Sequence, residues 1–212
     1  MSYSRGTSNN IIVGAAALFV NELGTTLPSD YTTGGDYDFV SLQSYKDTLS
    51  NDADWRNVGY TTNGLEIQFQ PDFGEVQVDQ LLDVAKLYKQ GMQVNMATAF
   101  AEATLENLLV ALAYNSTELT NGDTVLNLSA GQLGECPVER SIVAVGPGTG
   151  DCVDSDVVER VYVAYRALSI ENVTVSAKRD EASMFEVSFR LLPDDSTASY
   201  GKIVDRAFGT TV

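Results

Sequence analysis

The chain has 212 residues, and 13 Lys and Arg against 29 Asp and Glu leave a formal net charge of −16 with no histidine at all. A surface this acidic repels nucleic-acid phosphates and anionic membranes, which argues against gripping DNA, and the missing imidazole removes Ser-His-Asp and Cys-His nucleophiles together with the commonest zinc, copper and non-haem iron ligand sets. The length suits one domain with a sizeable core, as β sandwiches and barrels of this size commonly form.

Residues 1–10 are a polar arm rich in Ser and Asn, too poor in apolar side chains to order itself alone. A first strand is expected over 11–22. Its apolar run lacks a basic flank and a cleavage site and falls well short of the ~20 residues a membrane helix needs, so neither a leader nor a span is expected. Residues 24–57 read as one long, polar, turn-rich loop containing Gly34-Gly35, the acidic Asn51-Asp52-Ala53-Asp54 and one short strand at 38–42. Loops of that length in compact domains usually make functional contacts. From 11 to 212 the chain is expected to be one domain carrying this loop.

Asn63-Gly64 marks a turn, after which Leu65-Glu66-Ile67-Gln68-Phe69-Gln70 alternates strictly; Pro71 to Gly74 then supplies a second expected turn before Glu75-Val76-Gln77-Val78-Asp79 alternates again. The expectation is a hairpin with one oily face and one polar face. Residues 78–90 are ambiguous, since Leu81, Val84, Ala85 and Tyr88 have helical spacing, and are read as a connection with at most a turn or two of helix. Period two returns in Met92-Gln93-Val94-Asn95-Met96-Ala97. It gives way to Leu105, Leu108, Leu109 and Leu112, one face of a helix spanning about 104–114, with Thr104 as cap and Glu102 and Glu106 near the positive end of its dipole. This is the one expected α-helix, its leucines covering the apolar side of a mainly β, antiparallel protein.

Further strands are expected at 123–128, 138–145, 157–170, 172–177 and 184–192, with a charged turn at 178–181 and a tail from 194 to 212 that has few apolar residues. Gly146-Pro147-Gly148-Thr149-Gly150 has phosphate-loop glycines but leads into acidic residues and strand, not a helix, so a hairpin tip is expected. The loop pairs Asp36 and Asp38, Asp52 and Asp54, and Asp154 and Asp156 fit calcium binding or glycosidase chemistry only in fragments; among 29 acids, solvated loops are the simpler reading. Cys136 and Cys152 are expected as two free buried thiols rather than a bridge across 138–150. Three Asn-X-Ser/Thr patterns, at Asn115, Asn127 and Asn172, carry no weight without a secretory signal.

The order and spacing of several segments resemble the major tail tube proteins of long-tailed bacteriophages. They are Val13-Gly14-Ala15-Ala16-Ala17-Leu18-Phe19, Trp55-Arg56-Asn57-Val58-Gly59-Tyr60-Thr61-Thr62-Asn63-Gly64 with the alternating stretch after it, Val78-Asp79-Gln80, Ala101-Glu102-Ala103-Thr104-Leu105-Glu106-Asn107-Leu108, Phe185-Glu186-Val187-Ser188-Phe189-Arg190-Leu191-Leu192-Pro193-Asp194 and Tyr200-Gly201-Lys202-Ile203-Val204-Asp205-Arg206. The likeness spans most of the chain and is weakest over 24–51.

That resemblance implies an antiparallel β sandwich with one flanking helix, sixfold rings whose sheets join into a barrel, and stacked rings forming a tube that carries DNA from capsid to host. It implies a virion structural protein without catalysis or cofactor, assembled in the bacterial cytoplasm. Its partners would be further copies of itself, a tape measure protein, a tail terminator, baseplate or distal tail proteins, and a sheath if the tail contracts. A polar, acidic wall suits a conduit through which a polyanion slides, and the residues expected to line it are Glu66, Gln68, Gln70, Glu75, Gln77, Asp79, Gln93, Asn95, Glu186 and Ser188. Residues 24–57 and the termini would make ring-to-ring contacts. Without the resemblance the same alternation is only the solvent face of a sandwich. The alternatives are the tube of a bacterial contractile injection system and a histidine-free β-sandwich carbohydrate-binding module or enzyme.

Overall fold

The computed structural model describes residues 11–23, 45–80, 83–131, 133–134, 136–149, 157–175, 179 and 182–208. In chain order the elements are β1 (Ala17–Glu22), α1 (Tyr45–Asn51), β2 (Arg56–Asn57), β3 (Thr61–Val76), β4 (Lys86–Phe100), α2 (Leu105–Ala111), a 3-10 turn (Ser116–Glu118), β5 (Leu119–Thr120), β6 (Val125–Leu126), β7 (Arg140–Pro147), β8 (Val157–Ser169), β9 (Phe185–Leu192) and β10 (Gly201–Phe208). All pairings are antiparallel, and the large sheet runs β2-β1-β7-β8-β9-β4-β3 with β10 added to β8. The protein is thus mainly β, as the alternation predicts, and the sheet is not a closed barrel.

Strand β8 explains how one sheet makes two layers. It pairs with β7 along one side; along the other its first part holds β10 and its last part, Arg166 to Ser169, holds β9. A register shift in the β7–β8 ladder, where Arg140 faces Ala167 but Ile142 faces Ala164, inserts an extra β8 residue that turns the strand. The sheet therefore folds over on itself. Leu18, Val20, Ile142, Ala144 and Ala164 from one half meet Val94, Met96, Phe100, Val187, Phe189 and Leu191 from the other, and Leu109, Val110 and Ala111 of α2 complete this main core.

The outer faces of the two halves differ. On the β1-β7-β8 half it is apolar: Phe19, Val143, Val145, Val161 and Val163 form a second core roofed by Tyr45 and Leu49 of α1 and by Trp55. On the β9-β4-β3 half it is polar and partly exposed, Glu66, Gln68, Gln70, Glu186 and Arg190 open to solvent and Ala99 and Ser188 buried among them. The two ends of the sheet are neighbours in sequence, because only residues 58–60 separate β2 from β3: Val58 N–H donates to Leu18 O at 3.0 Å, and Ala101 N–H donates to Tyr60 O at 2.9 Å.

Several expectations need correction. There is no turn at Pro71 to Gly74; β3 continues through it with only a register shift between Asp72 and Phe73, and Pro71 is tolerated because β3 is an edge strand among the described residues. The turn lies instead within 77–85, and no helix is present among its described residues. α2 is shorter than 104–114, and a second helix, α1, occupies part of the supposed loop 24–57; the strand expected at 38–42 lies outside the described residues, as do residues 1–10 and Asp36, Asp38, Asp154 and Asp156. Residues 123–128 reduce to the two-residue β6, 172–175 form no strand, and the tail contributes β10. Cys136 is exposed, not buried, and Cys152 lies outside the described residues.

Candidate functional site

The polar outer face is built from cross-strand rows, since residues opposite each other in an antiparallel ladder share a face. Gln70 faces Gln93; Gln68 faces Asn95, which faces Arg190; Glu66 faces Ala97, which faces Ser188; Ala99 faces Glu186. Side chains tie neighbours along each strand: Gln68 Nε2 donates to Glu66 Oε1 at 2.7 Å, and Gln93 Nε2 donates to Asn95 Oδ1 at 3.3 Å. Between the glutamates the alanines leave a depression of about 180 Å³ bordered by Glu66, Glu171 and Glu186. Among the described residues no group of acidic side chains and cysteines is arranged to hold a metal ion.

Seven of the ten residues expected to line a conduit therefore do share one face: Glu66, Gln68, Gln70, Gln93, Asn95, Glu186 and Ser188. The other three do not. Because β3 continues through Pro71, Glu75 is in odd register, on the face that carries Leu65, Ile67 and Phe69, and it opposes Leu87. Gln77 and Asp79 belong to the turn beyond β3. Arg190 was missed, although the alternation that sets Glu186 and Ser188 on this face points to it; Glu186 and Arg190 are exposed there, whereas Ser188 is buried. It places a cation among the carboxylates.

One border of this face is open. Strand β3 pairs only with β4, so along Thr61–Val76 its second edge has no partner among the described residues. Beyond Gln70 and Gly91 the β3–β4 ribbon leaves the core and is exposed on both sides.

At the far end, α2 is anchored by polar contacts. Thr104 caps it, its Oγ1 accepting from Asn107 N–H at 3.2 Å. Of the leucines expected to pack, Leu109 is buried and Leu108 lies against the core, whereas Leu105 and Leu112 are half-buried; Asn107, Val110 and Ala111 are the deepest positions. Burial holds the Arg56 guanidinium below its usual pKa, against the pull of Glu106, and does the same at Arg140, against Glu22. Gly59, at φ +83°, is forced here: a Cβ would strike the Glu102 carboxylate, which accepts from Tyr60 N–H at 2.9 Å.

Set against models of known protein families and against curated proteins, the sequence matches none.

Proposed function

We propose that this protein is a tube-forming structural protein of a bacteriophage tail. Copies assemble into rings, their β9-β4-β3 faces turned inward as the polar wall of a conduit for DNA. The observation that carries the reading is the pairing of a polar, partly exposed sheet face with a 16-residue strand edge on its border that has no partner among the described residues. A lone sandwich with such an edge invites uncontrolled pairing, and closure by neighbouring copies removes the hazard while leaving the polar face toward water. The acidic net charge supports passage without adhesion, because phosphate finds little to bind. The same features suit the tube of a bacterial contractile injection system.

Electron microscopy of the concentrated protein, fresh and after prolonged incubation, tests the reading. Rings or tubes with a central hole are expected. Solid fibres or amorphous aggregates would sink it, and a compact monomer that binds a glycan on array screening would move the protein to the carbohydrate-binding class.

A further inference from the structure

The folded-over sheet does not close where β8 exchanges β10 for β9. Strand β4 is covered by β9 only from Val94 onward, and β10 has β8 as its sole partner among the described residues. Between them lies a mostly apolar groove of about 270 Å³ whose walls include Ile67, Phe69, Met92, Tyr162 and Ile203. The β3–β4 ribbon is the outward continuation of one wall of this groove, so it cannot fill the groove of its own chain without folding sharply back. The ribbon nevertheless leaves large apolar side chains bare: Phe73 and Leu87, with Glu75 and Lys89 beside them, lie on the face that continues the core side, Val76 and Tyr88 on the other.

We propose that the ribbon of one copy seats in the groove of the next, a head-to-tail contact between two different patches of the same chain. Area supports the second copy as occupant. Phe69, Phe73, Val76, Leu87, Tyr88 and Ile203 are each 40–59% exposed. At no more than ~200 Å² per large side chain, the ribbon and the groove together bring at most roughly 600 Å² of apolar surface to the contact. At the usual ~57% apolar fraction that corresponds to an interface of about 1,000 Å², the lower bound for a biological contact and the size of a weak, reversible one that repetition around a ring reinforces. A two-stranded ribbon without a third element is itself marginal in water, and a groove closing around it supplies that element. Because donor and acceptor patches differ, the contact is heterologous and propagates into a ring or a filament instead of stopping at a symmetric dimer. The inference rests on the self-assembly reading only for the identity of the occupant.

Complementation tests it. A ribbon variant, Phe73→Asp with Leu87→Asp, keeps an intact groove; a groove variant, Ile203→Asp, keeps an intact ribbon; all three positions are exposed, so folding by circular dichroism is expected to be unchanged. By sedimentation velocity each variant alone needs at least a tenfold higher concentration than the natural chain to associate, and an equimolar mixture gives a discrete heterodimer. Tyr60→Asp, exposed and outside both patches, associates normally. Association of either double or single variant at the natural concentration, a mixture that stays monomeric, or an equal loss in Tyr60→Asp overturns the inference. Variants that still build hollow tubes would reject the ribbon contact while leaving the tube reading intact. A heterodimer from a protein whose natural form makes no hollow assembly would do the reverse.

Discussion

Arg56 Nη1 donates to the side-chain oxygen of Asn107 at 2.7 Å, and the amide nitrogen of the same asparagine donates to Val58 O at 2.8 Å and Glu102 O at 2.9 Å. One side chain on α2 thereby satisfies an arginine from β2 and two backbone carbonyls from the segments on either side of β3 and β4. Asn107 is 1% exposed, so water cannot replace it. Asn107→Ala is expected to strip the two carbonyls of this partner and leave Arg56 only its longer contacts to Glu106, at a cost of roughly 2–4 kcal/mol, beyond the ~1 kcal/mol of an ordinary hydrogen bond. Urea unfolding reads this as a lower midpoint at constant m-value, and a loss under ~1 kcal/mol would show that water or Arg56 relaxes into the gap.

Acid stability has a defined origin on the exposed side of β10. The hydrogen bond from Arg160 holds the Asp205 carboxyl below its usual pKa, and hydroxyl and backbone donors from Ser196 and Thr197 do the same for Asp194. A carboxyl whose folded pKa is depressed contributes stability above its unfolded pKa of ~3.9, and that contribution is lost as pH falls through the folded value. The unfolding midpoint should therefore drop below about pH 4, and Asp205→Asn should flatten part of that drop while lowering stability at pH 7. An unchanged acid slope in the variant would remove the pair from the account.

Gly201 has no room for a side chain. A Cβ there would sit 1.8 Å from Val163 O, a backbone atom locked into the β8 ladder. Gly201→Ala should cost the upper end of the ~1–3 kcal/mol range for overpacking and loosen β10, raising amide exchange along it. Gly91→Ala serves as the control. Nothing lies within 4 Å of its Cβ, so it should stay within about 0.5 kcal/mol of the natural protein.

Charge on the polar face can be reversed without touching the core. Glu66 and Glu186 are exposed and lie on the same face, so Glu66→Lys with Glu186→Lys should leave folding and assembly unchanged. Assembled tubes of the variant should retain labelled DNA with a steep salt dependence, the log–log slope growing by about one for each phosphate engaged, while natural tubes retain none. Asp54→Lys, exposed in the turn before β2 and outside the polar face, the ribbon and the groove, should not produce retention. Equal retention by both variants would take the proposed wall off the β9-β4-β3 face.

Much of the fold can be read from the alternation, and the failures have physical causes. Leu65 to Gln70, Met92 to Ala97 and Phe185 to Leu191 alternate because each lies between the core and a polar outer face, and all three are strands in the structure. Pro71 and Gly74 mark a turn only where both strand edges must hydrogen-bond, a condition that the free edge of β3 does not impose. That misplacement put Glu75, Gln77 and Asp79 on the wrong surface. Helix α1 is seven residues long with two buried apolar side chains, Tyr45 and Leu49, one turn apart, too few to establish a period. Phe73 and Leu87 alternate like core residues, yet they extend past the core. Composition cannot separate a side chain buried in its own subunit from one left bare.

The crossing at residues 58–60 also constrains how the molecule comes apart. It carries hydrogen bonds to β1 on one side and to the end of β4 on the other, so it acts as a clasp between the first and last strands of a rolled sheet. Peeling cannot start at either sheet edge near this corner without opening the clasp, whereas the distal ribbon can fray freely. Amide protons of Val58 and Ala101 should accordingly exchange only with global unfolding, and those of the ribbon with local opening. The same chain thus combines a locked corner with a labile projection.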